Sequence, residues 1–132
     1  MQRVVAAVIE QDGRYLLCQR PPGKRHAGLW EFPGGKVQDG ESDGEALRRE
    51  LLEELRVAPA AEPLLAAEHR DGVSGFLICF LRTVIDGEPE CLEHASIGWF
   101  LPRQVKKLAL APADKAFSLQ LLSGGSRNPA LT

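Results

Sequence analysis

Only three cysteines occur, Cys18, Cys79 and Cys91, and they form neither a C-x-x-C pair nor an even-numbered framework. A disulfide-built scaffold is thereby excluded. Cys18 and Cys79 lie in apolar runs and read as reduced core residues, which suits a cytoplasmic protein. No run approaches the roughly 18 apolar residues of a membrane helix. The apolar stretch Val4 to Ile9 meets the acidic Glu10 and is too short for the core of a secretory leader. No basic tract is long enough to follow a nucleic-acid polymer. Neither a membrane nor such a polymer is an expected partner. Internal repeats and linkers are also missing.

What remains is ordinary globular material. The 132 residues are 44% hydrophobic and 26% charged with a net charge of −2, enough for one domain over residues 1–132 with a real core. Charge is unevenly placed. Arg20, Lys24, Arg25 and Lys36 outweigh Glu31 in one segment. Glu41, Asp43, Glu45, Glu50, Glu53 and Glu54 outweigh Arg48 and Arg49 in the next. A cationic segment beside an anionic one suits a metal-bound phosphate ester.

The β-branched run Val4 to Ile9 predicts a buried strand. Asp12-Gly13 predicts a hairpin into Tyr15 to Cys18. Pro21 to Gly28 reads as a loop. Gly34-Gly35 predicts either a tight turn or a place where backbone comes close to a ligand or another segment. After a central helix, Glu62 to His69 is a weak strand, Phe76 to Val84 a central one and Ile97 to Leu101 another. Pro102 opens a short helix ending near Lys107. Pro112 opens a last helix through Leu122, anchored by Phe117, Leu121 and Leu122. A frayed polar tail is expected from Gly124 onward, over residues 124–132. Strands, a helix, strands and a final helix make a mixed α/β domain.

The most informative stretch is Gly34 to Val57. Ser42 and Glu45 form a capping box, so a helix should begin at Asp43. Leu47, Leu51 and Leu55 fall on one arc and should face the core. Glu50, Glu53 and Glu54 share a neighbouring arc. They crowd the C-terminal half, where the helix dipole favours cations, and like charges at spacings of three and four each cost about 0.2–0.5 kcal/mol. A bound divalent cation turns that repulsion into coordination. Carboxylate oxygens suit magnesium or manganese, whose remaining positions go to water and substrate phosphate.

This stretch resembles the Nudix box, G-x5-E-x7-R-E-U-x-E-E-x-G-U, with U aliphatic. Gly35, Glu41, the Arg49-Glu50 pair, Leu51, the Glu53-Glu54 pair and Val57 fall in register. Arg56 stands where the box has its last glycine, a position normally left-handed. The resemblance implies an α/β/α sandwich, a mixed sheet between helices. It also implies a metal set of Gly35, Glu50, Glu53, Glu54 and, from a loop six residues before Trp99, Glu93. Mg2+ is the implied ion, with Mn2+ a possible substitute. Glu50, Glu53 and Glu93 become the catalytic candidates, with Glu50 or Glu93 as general base. His94, a lone loop histidine, reads as a solvated residue, with an acid–base role as the alternative. Arg49 is implied to be structural, pairing with a box glutamate.

Similarity extends to Gln19-Arg20-Pro21, to Gly28–Lys36 and to Leu110–Asp114, and so covers most of residues 3–122. There it is to MutT-type enzymes and the related CTP pyrophosphohydrolases. Arg20 and Lys36 match positions near substrate phosphates, and Asp114 matches a residue that reads the base. The implied activity is magnesium-dependent hydrolysis of a nucleoside triphosphate to monophosphate and pyrophosphate. An oxidised guanine nucleotide such as 8-oxo-dGTP comes first, in nucleotide-pool sanitation serving DNA repair, and CTP or dCTP second. A monomer or weak dimer is expected. A non-catalytic Nudix-fold module that only binds a nucleotide is the reading of another class. The retained box glutamates argue against it, and Arg56 is the one departure in its favour.

Overall fold

The computed structural model describes residues 1–127, with side chains through residue 121. Its first strand, β1 (Arg3–Val8), is followed by β2 (Glu10–Gln11), β3 (Arg14–Gln19), β4 (Trp30–Glu31) and β5 (Gly34–Lys36). The helix α1 (Asp43–Leu55) comes next. After it run β6 (Ala58–Pro59), β7 (Leu64–Arg70), β8 (Leu77–Arg82), β9 (Ile85–Asp86) and β10 (Ser96–Phe100). Two helices, α2 (Pro102–Val105) and α3 (Pro112–Arg127), close the described chain. Among the described residues no helix is long and apolar enough to cross a membrane.

The main sheet runs β5-β1-β8-β7 and is mixed. β1 is parallel to β8, while the β1–β5 and β7–β8 pairs are antiparallel. The segment expected as a central strand is thus β8, paired on both sides. A second sheet runs β10-β3-β2 with β4 added to β3, and β6–β9 form a small ribbon. At the β2–β3 hairpin both central residues have positive φ, Asp12 at 52° and Gly13 at 77°. A two-residue turn needs this to match the strand twist.

Alternation along β1 explains the layering. Val5, Ala7 and Ile9 pack with Leu47, Leu51 and Leu55 of α1. Ala6 and Val8 point the other way, into a cluster with Phe32, Phe80, Phe117 and Leu121, the last two from α3. One strand therefore feeds two cores, because successive side chains leave opposite faces of the sheet. The result is the expected α/β/α arrangement. Phe80 and Phe117 stack with ring centroids 4.1 Å apart.

Three expectations need adjustment. Gly34-Gly35 is not a tight turn: of its two readings it takes the close approach to another segment, as the start of strand β5 paired with Ala6 and Val5. Helix α3 continues past Leu122 to Arg127, so the first part of the expected tail is helical. The rest of that tail, 128–132, lies outside the described residues, as does the side chain of Leu122. Strand β7 starts at Leu64 and ends at Arg70, two residues later than expected at one end and one at the other.

Candidate active site

Helix α1 begins where its capping box demands. Ser42 accepts a hydrogen bond from the Glu45 amide at 3.1 Å, and Glu45 accepts one from the Ser42 amide at 2.8 Å. With the start fixed and Leu47, Leu51 and Leu55 fully buried, the rotation of the helix is set. Glu50, Glu53 and Glu54 must then emerge on the flank facing β5 and the loop before β10.

Close approach to β5 depends on its glycines. A Cβ on Gly34 would drive into the Val5 carbonyl, and one on Gly35 into the Glu50 carboxylate. Gly35 therefore lets Glu50 lie against the strand backbone. Arg49 then organises the acids. It donates to both oxygens of Glu41, at 2.7 and 3.0 Å, to Glu50 at 3.0 Å and to the Lys36 carbonyl at 3.0 Å. Glu53, about half exposed, sits 3.5 Å from the same guanidinium. Burial is too slight for large desolvation here, and the Arg49 hydrogen bonds hold the Glu41 carboxyl below its ordinary range. The structural pairing expected of Arg49 is present.

Glu54 is the anomaly. It is buried, at 6% exposure, and its Oε1 has no hydrogen-bond partner among the described residues. Burial pushes its carboxyl far above the usual carboxylate range. The next cause is Glu50, which can share a hydrogen bond with it only if a proton lies between them, and the charges of Glu50, Glu31 and Glu93 add to the shift. A position where crowded carboxylates must retain a proton, with one oxygen orphaned, is one that a divalent cation fits by replacing the proton. Glu50 and Glu54 therefore offer the hard carboxylate oxygens that such an ion takes. Among the described residues no three acidic, thiol or imidazole side chains already enclose an ion.

Beside this cluster lies a cavity of about 550 Å3 whose wall includes Arg20, Glu31, Gly35, Lys36, Phe76 and Asp114. Arg20 does not stand free, as a pure phosphate clamp would. Its Nη1 donates to Glu31 at 2.8 Å, and its Nε donates to the Arg25 carbonyl. The Lys36 ammonium rests 5.3 Å from the centre of the Phe76 ring. Asp114 is brought to the wall by pairing that the sequence does not reveal. The Trp30 amide donates to the Ala109 carbonyl at 2.8 Å, and the Ala111 amide donates to the Trp30 carbonyl at 2.9 Å. Asp114 Oδ1 then accepts from the Phe32 amide at 3.1 Å. Burial raises its carboxyl to about 7, and Glu31 adds to this, against the Phe32 amide and Arg20, which pull it down.

Two residues stand out against expectation. His94 is not solvated: its side chain is 7% exposed, with Nε2 at 3.2 Å from Glu31 and 3.9 Å from Glu54. In the sequence Glu31 is only a charge, yet in the fold it touches both Arg20 and His94. Its signal was faint, a single acid inside the cationic segment. Glu93 itself is exposed and enters the cluster only through its charge on Glu54.

A family model described as NUDIX domain matches residues 1–121. The chain belongs to the Nudix family. This Nudix protein is 43% identical over 117 residues to the CTP pyrophosphohydrolase of Escherichia coli K12, covering 86% of each chain. It is 34% identical over 126 residues to a Mycobacterium tuberculosis protein with the provisional name 8-oxo-dGTP diphosphatase 2, covering 91% of this chain and 87% of that one. Its structure matches the E. coli ORF135 protein with a TM-score of 0.82 at 39% identity, covering 98% and 94% of the two chains. The fold is a Nudix fold, and the protein is a hydrolase acting on nucleotides. Nudix hydrolases generally use a divalent metal such as Mg2+.

Proposed function

We propose that this Nudix hydrolase is a magnesium-dependent nucleoside triphosphate pyrophosphohydrolase. The observation that carries the reading is the crowding of Glu50, Glu54, Glu31 and Glu93 around one orphaned buried oxygen, beside a cavity with cations and a base-reading candidate on its wall. Gly35, Glu50, Glu53, Glu54 and Glu93 would hold Mg2+, or Mn2+ in its place. When bound, the ion neutralises phosphate charge and acidifies water.

The chain's own residues supply the rest. Arg20, anchored by Glu31, and Lys36 bind phosphate oxygens at the cavity wall. Glu50 or Glu93 accepts the proton of the attacking water, with Glu53 supporting the same site. A phosphorus–oxygen bond forms to water and the anhydride bond breaks, releasing pyrophosphate and the nucleoside monophosphate. Asp114 meets the base. Ionised, it accepts from an exocyclic amino group. Protonated, it donates to a ring nitrogen or carbonyl.

Two substrates fit this scheme. The 8-oxo-dGTP reading places the enzyme in nucleotide-pool sanitation and DNA repair. The pyrimidine reading, CTP or dCTP, has the higher identity to the E. coli relative in its favour. The deciding assay is magnesium-dependent pyrophosphate release over canonical and oxidised triphosphates, with Glu53→Gln as control. A single preferred nucleotide, lost in the control, is the expected result. Tight nucleotide binding without release under Mg2+ or Mn2+ would overturn the reading in favour of a binding module.

A further inference from the structure

The loop from Glu90 to Ala95 lies across the last turn of α1. The Glu90 amide donates to the Leu55 carbonyl at 2.8 Å and the Leu92 amide to the Glu54 carbonyl at 3.1 Å. These are carbonyls that a helix end leaves without partners. The Ala95 amide donates to the Gln19 carbonyl at 2.9 Å, fixing the loop's other end to β3. His94 is thereby inserted between α1 and β4.

Its placement is odd for a residue that only fills space. Nε2 lies 3.2 Å from Glu31 Oε2 and 3.9 Å from Glu54 Oε1. An ionised Glu31 oxygen can only accept, so Nε2 is the donor of that contact, which leaves Nδ1 to find a partner of its own. Nδ1 is buried with no hydrogen-bond partner among the described residues. An apolar side chain would pack there without stranding a polar atom. The second orphan in the protein's described interior is Glu54 Oε1, so the two unsatisfied atoms belong to the same small group. Glu31 completes a chain of contacts, since it also accepts from Arg20 Nη1 at 2.8 Å.

We infer that His94 is a positioning residue for the ion-binding carboxylates: its Nε2–H ties down Glu31 and keeps that carboxylate from collapsing against or repelling Glu54, so that Glu54 presents a free oxygen to the divalent ion. The same contact holds Glu31 in place to anchor Arg20 toward the phosphates. The loop that carries Glu93 is pinned to the site by the neighbouring side chain. The inference rests on the proposed metal-dependent reading.

The test measures Mn2+ binding to the nucleotide-free protein by electron paramagnetic resonance, with thermal midpoints alongside. His94→Phe keeps an aromatic of similar size but removes the donor, while His94→Gln restores a donor. Loss of an outer ligand-orienting partner typically lowers metal affinity by about 10–100-fold. That loss is expected in the Phe variant, with near wild-type affinity in the Gln variant and little change in either midpoint. Equal Mn2+ affinity in wild type and His94→Phe would overturn the inference, as would a Gln variant as weak as the Phe variant. His94→Leu gives the same comparison should the Phe variant not fold. If the wild-type protein binds no Mn2+, the metal-dependent reading itself fails and takes this inference with it. A wild type that binds normally beside an unaffected Phe variant removes the inference alone.

Discussion

Arg49 grips Glu41 with two parallel hydrogen bonds, Nε to Oε2 at 2.7 Å and Nη2 to Oε1 at 3.0 Å, across eight residues of chain. The same guanidinium reaches Glu50 and the Lys36 carbonyl. Arg49 thus fastens the turn after β5 to the helix that carries the acids. Because the Glu41 carboxyl is held below its ordinary range, its contribution to stability is present above the unfolded value and fades as pH falls through the folded one. Glu41→Gln is therefore expected to lower the denaturant midpoint at neutral pH and to lose part of the wild type's acid sensitivity. Parallel midpoint curves for the two proteins from neutral pH into the acid range would contradict this.

Asp114 has the opposite sign. Its carboxyl is raised to about 7, against roughly 3.9 in an unfolded chain. Between those values the folded state binds more protons than the unfolded one, so stability falls as pH rises through that window and levels off above it. Asp114→Asn, whose amide oxygen still accepts from the Phe32 amide, should flatten this slope and be more stable than wild type at pH 8. In wild type the KM for the preferred nucleotide should change between pH 6 and 8, as Asp114 passes from donor to acceptor. The Asn variant should show no such change. Urea midpoints and KM values at three pH values check both points.

At the end of α1, Arg56 occupies the left-handed region, with φ 56° and ψ 34°. A non-glycine residue pays about 1–2 kcal/mol there. Its ion pair with Glu90, at 3.5 Å with both side chains more than half exposed, returns little. Arg56→Gly is expected to stabilise the protein by roughly 1 kcal/mol, the left-handed penalty less the greater unfolded-state freedom of glycine. Pyrophosphate release should be retained, because Arg56 contributes no ligand. Chemical denaturation of the two proteins gives the comparison.

Gly34 is intolerant for a different reason. A Cβ there meets the Val5 carbonyl and the Ala6 Cα, and backbone cannot swing aside as a flexible side chain can. Gly34→Ala should cost about 1–3 kcal/mol or more, as overpacking does. It should also disturb the Ala7 amide's hydrogen bond to Pro33 at 2.7 Å. Gly35→Ala meets only the Glu50 side chain, so it should fold better than Gly34→Ala and yet release pyrophosphate more slowly. A larger stability loss at Gly35 than at Gly34 would count against this account.

The sequence by itself determined the helix that carries the acids and much of the frame around it. Ser42 and Glu45 set where α1 starts, Leu47, Leu51 and Leu55 set its rotation, and Asp12-Gly13 set the first hairpin. These are signals between residues a few positions apart, where capping, periodicity and turn chemistry act within one element. The strand status of Gly34-Gly35 was not legible, because it depends on Val5 and Ala6, some thirty residues away. Only the tertiary structure decided the surroundings of the acids. It buried His94 against Glu31 and Glu54, turned Arg20 toward Glu31 and brought Asp114 to the cavity wall through Trp30 and Phe32. Burial and contact between distant segments follow from how the sheets and helices stack, and no local pattern of residue types encodes them. That burial raises the carboxyls of Glu54 and Asp114, and so the chemical character of the site belongs to the fold.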